Sequence, residues 1–234
     1  MTAITPAPEY VLLRCRSKVL LVTPQLTTTS YAALGLLSLR SWTGYELVQQ
    51  GQRSLVHAWP KEDSVLYEEP RRLVALGLAT AHKEREGGRV RNRYEITEDG
   101  RSALRAWLAR PSNPPRVELE PILRLIFADQ GEVRDALAAV AALRDWASTR
   151  FANAAKHILA ARSGEVLFPE RDHINALTAR LYTELYTTLI SFADLAEKEI
   201  RTWPRTDGLG RTERTQQLVD ELFEIVDRTP GATS

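Results

Sequence analysis

Apolar residues in the first third of the chain recur at spacings of three and four residues, which predicts consecutive amphipathic helices. The first helix is expected over about 28–39, because the Thr/Ser run before it supplies a cap. Its inner face holds Tyr31, Leu34, Leu37 and Ser38. The second helix is expected over about 43–58 and contains Gly51, which is a weak point for helix formation.

A third helix is predicted to begin near Glu62 or Asp63, since acidic residues suit a helix N-terminus, and to stop at Gly77. Its inner face is formed by Leu66, Pro70, Leu73 and Leu76. Proline lacks the amide donor and clashes with the carbonyl group four residues earlier. We therefore expect either a kink near Leu66 or a helix that begins later.

Two alternating segments follow and predict a β-hairpin. Residues 78–86 and 89–96 flank two glycines that tolerate the backbone angles of a tight turn. Because side chains alternate faces along a strand, Val90, Tyr94 and Ile96 are expected to point inward. The opposite face of this second strand then presents three arginines to water, namely Arg89, Arg91 and Arg93. The hairpin is therefore expected to be basic.

A fourth helix is predicted after the cap residue Thr97, with Leu104, Trp107 and Leu108 on one side. Three helices, a basic hairpin and a returning helix indicate a winged helix-turn-helix domain over 28–110. The chain is thus expected to be mainly α with a small β-hairpin wing. Residues 1–27 show no sustained hydrophobic period. We expect them to be an arm of unknown structure, with one extra strand as an open alternative.

The Pro-rich segment 111–118 is the clearest domain boundary, since clustered prolines cannot continue a helix. The helical pattern resumes beyond it, and a helical dimerisation domain is predicted over 119–204. Its two long helices are expected over Glu132–Arg162 and about Glu170–Arg201. Residues 205–234 are predicted to be a tail that contains one short amphipathic helix.

Each long helix carries a near-heptad apolar stripe. The first stripe comprises Val133, Leu137, Val140, Ala147, Phe151, Ala154 and Ile158, and the second comprises Ile174, Leu177, Leu181, Leu185, Leu189 and Phe192. We expect the two helices to fold into a hairpin that buries one stripe, while Tyr182, Tyr186 and Ile190 leave a second apolar face for another subunit. The predicted dimerisation residues are Leu181, Tyr182, Leu185, Tyr186, Leu189 and Phe192.

The overall charge does not by itself indicate a partner. The 31 Lys and Arg residues face 30 Asp and Glu residues, a net charge of +1, so affinity for nucleic acid has to come from local asymmetry. Residues 83–93 show such asymmetry, with five basic and two acidic side chains. The single cysteine, Cys15, excludes an internal disulfide, and no apolar run reaches the length of a membrane span. We expect a cytoplasmic protein with no membrane partner.

Catalysis and metal binding find little support in the sequence. It contains no G-x-S-x-G, P-loop or G-x-G-x-x-G motif, and its four histidines lack metal-ligand spacing. We therefore expect a non-enzymatic protein without a metal or cofactor.

The first half of the chain carries five short segments in a characteristic order over about 30–109. They are ALGLLSLRSWTGYEL, Trp59-Pro60, SVLY, RRLVALGLA and YEITEDGRSAL. In these segments the chain resembles the PadR family of transcriptional regulators, and its second half is similar in layout to the family's Vir-type helical domain. It departs from the family at Glu62 and Ser64, which stand where a Ser and a Gly are common, and at Pro70, which replaces a core leucine.

The resemblance implies a homodimeric repressor that binds a pseudo-palindromic operator in double-stranded DNA and responds to a small aromatic or amphipathic effector. In a winged helix the third helix enters the major groove and the wing lies along the DNA backbone or in the minor groove. The predicted DNA contacts are Lys61, Ser64, Tyr67, Arg71, Arg72, Arg89, Arg91 and Arg93. Arg71 and Arg72 have an alternative role, as ion-pair partners of Glu68 and Glu69.

Trp59, Trp107 and Trp146 are candidate effector-binding residues, for which core or interface packing is the alternative. A second hypothesis for the whole chain is a protein-interaction or scaffold module that keeps the winged fold without binding specific DNA. Four acids of the third helix favour it, because they lie where a phosphate backbone would approach: Glu62, Asp63, Glu68 and Glu69.

Overall fold

The computed structural model describes residues 12–13, 20–21, 26–86 and 89–228, with side chains described for 26–85 and 90–228. The chain divides into two compact units, Met1–Pro114 and Pro115–Ser234. In the predicted arm, two short strands pair antiparallel, β1 (Leu12–Leu13) with β2 (Leu20–Leu21). The rest of that arm up to residue 25, the predicted glycine turn at 87–88 and the end of the tail lie outside the described residues.

The first unit has the predicted order of helices and strands. It contains α1 (Thr28–Leu39), β3 (Trp42–Thr43), α2 (Gly44–Ser54), α3 (Asp63–Ala75), β4 (Ala79–Glu86), β5 (Arg89–Ile96) and α4 (Glu98–Leu108). The strands form one antiparallel sheet in the order β3-β5-β4. The prediction of a mainly helical protein with a small β wing is confirmed, although the two-residue strand β3 was not predicted.

Threonine caps explain where three of these helices begin. The hydroxyl oxygens of Thr27, Thr43 and Thr97 accept hydrogen bonds from backbone amides three residues later, at 3.2, 3.3 and 3.1 Å. The helix α2 ends at Ser54, four residues before the predicted end. Gly51 allows α2 and α3 to pack closely, since a methyl group at this position would lie 3.0 Å from Leu66 Cδ1.

The core of the first unit lies between α1, α2, α3 and the base of the sheet. Leu34, Leu47 and Leu73 are fully buried, and Trp42 of β3 donates its indole N–H to the carbonyl oxygen of Leu36 at 2.7 Å. Pro70 is buried within this core on the inner face of α3. The helix runs without interruption through Pro70, so the prediction of a later start is wrong.

Two side chains that were predicted to pack inward are exposed instead. Val90 is 56% exposed and Leu108 is 67% exposed. Val90 lies near the tip of the hairpin, beyond the helices that cover Tyr94 and Ile96, both of which are buried as predicted. The alternation of the strand is therefore correct, but the core extends under only its C-terminal half.

The second unit is built on a long helical hairpin. It contains α5 (Glu120–Ile126), α6 (Val133–Arg162), α7 (Asp172–Ile200) and α8 (Glu213–Arg228), with single 3-10 turns at Ala128–Gln130 and Pro169–Arg171. The two long helices and the short C-terminal helix are confirmed. No helix within the described ranges has the length and apolar character needed to cross a membrane.

The packing face of α7 differs from the prediction. Tyr186, Ala193 and Ile200 are buried against α6, whose inner face is rich in alanines that allow the two helices to approach closely. Arg144 of α6 joins the pair by ion pairs with Asp194, at 2.8 Å, and Glu197. Tyr186 is thus not available to another subunit, and Tyr182 beside it is half-buried.

The leucine stripe of α7 is the face that stays open within the chain. Leu181 is 60% exposed and Leu185 is 43% exposed. The other exposed apolar residues on the same face are Ile174, Leu177, Phe192 and Leu195. The expectation that the hairpin buries one stripe and leaves another open is correct, but the exposed face is the leucine stripe and the buried one contains Tyr186.

Candidate nucleic-acid interface

The outward face of α3 holds most of the predicted major-groove residues. Ser64 and Arg71 are exposed, and Tyr67 is 40% exposed. The ring of Tyr67 packs over the first residue of α2, since a methyl group at Gly44 would lie 3.5 Å from it. Lys61 precedes the helix, and its ammonium group lies 4.9 Å from the centre of the Trp59 ring. These four side chains stay candidate DNA contacts.

Arg72 is held by the protein itself. Its Nη1 donates hydrogen bonds to Ser30 Oγ at 3.0 Å and to Glu69 Oε1 at 3.1 Å. The Glu69 side chain is only 9% exposed, so removing Arg72 would leave a nearly buried carboxylate without its partner. The ion-pair alternative for Arg72 is correct, and its contacts bind α3 to α1.

The four acids on α3 and at its N-cap are not all directed toward solvent. Glu69 is buried, and Asp63 Oδ1 accepts a hydrogen bond from Gln52 of α2 at 2.7 Å. Glu68 is exposed and lines a shallow cavity of about 320 Å³ together with Ser64, Val65, Glu69 and Arg72. The expectation that all four acids meet an approaching phosphate backbone is therefore wrong for Glu69.

The pairing register of the wing shows which side chains share a face. The strands pair Lys83 with Asn92, Glu84 with Arg91, and Arg85 with Val90. Directly opposed residues of an antiparallel pair point to the same side of the sheet. One face therefore carries Arg91 and Arg93 together with Glu84 and Glu95, so its described charges balance. The arginine-rich face is not the positive surface that the second strand alone predicts.

The charged side chains described on the other face of the wing are all basic. Lys83 and Arg85 are exposed on it, beside Val90 and Asn92, and none of the acidic side chains described on the two strands shares this face. We name Lys83 and Arg85 the basic wing face. The same alternation rule applied to the first strand would have found it, since residues 79, 81, 83 and 85 share one side.

Arg93 ties the wing to the rest of the first unit. Its Nε donates to Glu84 Oε2 at 2.6 Å, and its Nη1 donates to Glu46 Oε2 and to the carbonyl oxygen of Ser41, both at 3.3 Å. The hydrogen bond to Glu84 is the main reason that the pKa of Arg93 is raised. The expectation that Arg93 faces water is wrong, because the side chain is 29% exposed and surrounded by acceptors. The side chain of Arg89 lies outside the described ones.

Glu46 is the acidic centre of this junction between α2 and the wing. Burial acts to raise the pKa of its carboxyl group. Hydrogen bonds from the Thr43 amide and hydroxyl and the charges of Arg93 and Arg40 outweigh that effect, so the pKa is lowered. The Thr43 amide donates to Glu46 Oε2 at 2.8 Å, which completes a capping box at the start of α2.

Acid is expected to destabilise the first unit through Glu46. A carboxylate whose pKa is lower in the folded state stabilises the fold above its ordinary value of 4.5, and this contribution is lost as pH falls through the folded value. We expect the free energy of unfolding, measured by urea denaturation with circular dichroism, to fall between about pH 5 and pH 3. The Glu46→Gln variant should lose part of this dependence.

Glu95→Gln is the matched control for that measurement, because Glu95 is an exposed carboxyl group on β5 with no ion pair among the described side chains. It should keep the pH dependence of the unaltered protein. Identical curves for the Glu46 and Glu95 variants would show that the junction does not contribute to acid sensitivity.

The three candidate effector tryptophans have separate contacts. Trp59 donates its indole N–H to Thr29 Oγ1 at 3.1 Å, and the Trp107 ring stacks on Tyr31 with centroids 4.9 Å apart. Both belong to the first unit. Trp146 belongs to the second unit, where its ring meets the Tyr186 ring edge-on at 5.7 Å. Each of these side chains thus has a packing or hydrogen-bonding partner within its own unit, and effector binding stays a prediction.

The three helices, the capped return helix and the hairpin also match a known family model. Residues 33–106 match the model described as the transcriptional regulator PadR-like family. The chain carries a PadR-like domain. Within the described residues no group of three or more His, Cys, Asp or Glu side chains is arranged to hold a metal ion.

Known proteins extend this likeness. The chain is 29% identical over 99 residues to the negative transcriptional regulator PadR of Bacillus subtilis (strain 168), a segment that covers 42% of this chain and 54% of the relative. The chain thus matches about half the length of that relative.

Two crystal structures of Bacillus subtilis PadR have the same fold as this chain. The complex with operator DNA superposes with a TM-score of 0.64 at 20% identity, covering 74% of this chain and 99% of that one. The complex with p-coumaric acid superposes with a TM-score of 0.57 at 20% identity, covering 75% of this chain and 99% of that one. At this identity the likeness concerns the fold, and it extends past the PadR-like domain into the long helices.

Proposed function

We propose that this protein is a sequence-specific DNA-binding repressor that acts as a homodimer on a pseudo-palindromic operator. The observation that carries the proposal is the basic wing face beside a PadR-like recognition helix. Lys83 and Arg85 lie on one side of the wing, and the acidic side chains described on its strands lie on the other. Cations on a wing neutralise phosphates and release counterions, which supplies affinity without reading sequence.

The proposed contacts divide between helix and wing. On α3 and just before it, Lys61, Ser64 and Tyr67 contact phosphates and Arg71 contacts base edges. On the wing, Lys83 and Arg85 join Arg89 and Arg91. Arg72 and Arg93 position α3 and the wing through their protein partners and do not themselves contact DNA. The operator complex of Bacillus subtilis PadR supports DNA as the partner of this fold.

The homodimer is supported by the open leucine stripe of α7. Four large apolar side chains that are each more than two-fifths exposed follow one another along this helix: Ile174, Leu177, Leu181 and Leu185. A monomer rarely keeps so long a continuous apolar surface in water. A second copy that presents the same stripe would bury both, and a two-fold pair of PadR-like domains would then suit an operator with two half-sites.

A small aromatic effector is the last part of the proposal. The complex of Bacillus subtilis PadR with p-coumaric acid supports an aromatic acid as a ligand of this fold. In this chain Trp146 is 41% exposed, and the guanidinium carbon of Arg150 lies 5.8 Å from its ring centre. An aromatic surface beside a cation suits a ligand that combines a ring with a carboxylate.

Fluorescence anisotropy with a labelled duplex from upstream of the protein's own gene, at several salt concentrations, tests the DNA-binding part. The double variant Lys83→Ala with Arg85→Ala should bind more weakly, and its log–log salt slope should fall by about 2, or about 1 for each lost phosphate contact. A scrambled duplex measures the preference for the upstream sequence.

The matched control removes the same charge from the second unit, by Lys156→Ala with Arg162→Ala at exposed positions of α6. Affinity and slope should then stay unchanged. A larger loss for Arg91→Ala than for the double wing variant would contradict the assignment of the two faces. Equal and weak binding of both duplexes, insensitive to every variant, would favour the protein-interaction module.

A further inference from the structure

The centre of the outward face of α3 is a line of four residues, Ser64, Glu68, Arg71 and Ala75. At 3.6 residues per turn these positions lie one above another, opposite the buried residues Leu66 and Leu73. We name this line the α3 stripe. All four residues are exposed, whereas Tyr67 and Arg72 flank the line.

The α3 stripe contains one carboxylate and one guanidinium group that the fold does not use. The neighbouring pair Glu69 and Arg72 is occupied with Ser30, as described above. Neither Glu68 nor Arg71 makes a side-chain hydrogen bond or ion pair with another described residue. Their charged groups are therefore available to a partner, and other residues hold the helix in place.

An outward carboxylate on a helix that meets DNA has an energetic cost. Phosphates repel it, and it becomes favourable only where it accepts a hydrogen bond. In the major groove the amino groups of cytosine and adenine both donate, but the N7 acceptor beside the adenine amino group repels a carboxylate, so cytosine is the preferred partner. A guanidinium group has the complementary preference for the O6 and N7 atoms of guanine. The two side chains are three residues apart, about 4.5 Å along the helix axis, which is close to one base-pair step of about 3.4 Å.

We propose that Arg71 and Glu68 read a guanine and a cytosine on the same base pair or on two adjacent base pairs in each half-site of the operator. This inference rests on the proposed function, because it requires α3 to lie in the major groove. Arg71 selects guanine by attraction, and Glu68 disfavours every base whose major-groove edge presents an acceptor (guanine, thymine and adenine), which leaves cytosine. The carboxylate of Glu68 thereby weakens non-specific binding and contributes to sequence specificity.

Selection from a random duplex library tests this, with the purified full-length protein and its Arg71→Ala and Glu68→Gln variants. The unaltered protein should enrich a motif with guanine and cytosine within one step of each other in each half. Arg71→Ala should lose the guanine preference, lowering discrimination against the A·T-substituted duplex by about 10- to 100-fold. Glu68→Gln should bind most duplexes more tightly and lose the cytosine preference.

Lys83→Ala is the control, because a phosphate contact should lower affinity for all duplexes equally and leave the selected motif unchanged. A motif without the guanine and cytosine pair, or one that both α3 variants preserve, would overturn the inference while DNA binding itself persists. Failure of every duplex to bind would instead overturn the proposed function, and the α3 stripe would lose its role with it.

Discussion

Replacing Gly100 with alanine is expected to make the first unit unfold at a much lower urea concentration than in the unaltered protein. The added methyl carbon would lie 2.1 Å from the carbonyl oxygen of Leu78 and 2.8 Å from Ile96 Cγ1. That carbonyl cannot move aside cheaply, because it accepts the amide hydrogen of Thr97 at 3.1 Å. We expect a loss of about 3 kcal/mol or more in the free energy of unfolding, at the upper end for overpacked sites.

Gly35→Ala is the matched control for Gly100→Ala, measured by the same urea titration with circular dichroism. Gly35 lies within α1, and a methyl group there would meet no atom within 4 Å. Alanine in a helix interior is favoured over glycine by about 0.5–1 kcal/mol, so this variant should be more stable than the unaltered protein. If both variants had the same stability, close packing between the wing and α4 would not be what requires glycine at position 100.

The second large effect is expected at the leucine stripe of α7. The double variant Leu181→Glu with Leu185→Glu should convert the proposed dimer to a monomer at micromolar concentration. Burying an unpaired carboxylate costs several kcal/mol, and the dimer would contain four of them, so the dissociation constant should rise at least about 1000-fold. Analytical ultracentrifugation measures this change directly.

Thr187→Glu is the control for that experiment, because Thr187 is an exposed residue of the same helix away from the leucine stripe. It should remain dimeric. Both variants should keep the helical content of the unaltered protein, since α7 packs on α6 through the different face that contains Tyr186 and Ala193. A dimer that survives the double substitution, or an unaltered protein that is monomeric, would remove the leucine stripe as the subunit contact.

The two experiments report on different parts of the proposed function. Gly100 lies in the PadR-like domain, where the loss of the fold would abolish any DNA binding. The leucine stripe lies in the second unit, so the double glutamate variant should keep a folded PadR-like domain and lose only the benefit of binding two half-sites together. Weak residual binding with an unchanged sequence preference is the result expected from that monomer.

Features that depend on neighbours in sequence could be predicted well from the chain alone. The helix starts at Thr28 and Glu98 follow from threonine caps, whose partners lie three residues away. The long helices α6 and α7 follow from apolar periods sustained over about thirty residues. The wing was recognisable from its alternation and its two glycines. For these elements the information is local, since hydrogen bonds within a helix or across a tight turn join residues close in sequence.

Features that depend on partners distant in sequence could not be predicted in this way. The contact between Arg72 and Ser30 joins residues 42 positions apart, and the contact between Arg93 and Glu46 joins residues 47 positions apart. Both arginines resemble DNA contacts when their own segment is considered alone. Long-range contacts hold both side chains against other elements of the first unit, whereas Arg71 is an exposed guanidinium group at the centre of the α3 stripe.

The sequence therefore specifies the elements, their order and the PadR-like character of the first unit, while folding assigns the faces. Register sets Glu84 opposite Arg91 and gathers Lys83 and Arg85 on the opposite side of the wing. Alanines of α6 admit Tyr186 and Ala193 of α7 and leave its leucines outside. An amphipathic period shows that a segment has an apolar side, but the shape and charge of what packs against it determine which residues remain available to a partner.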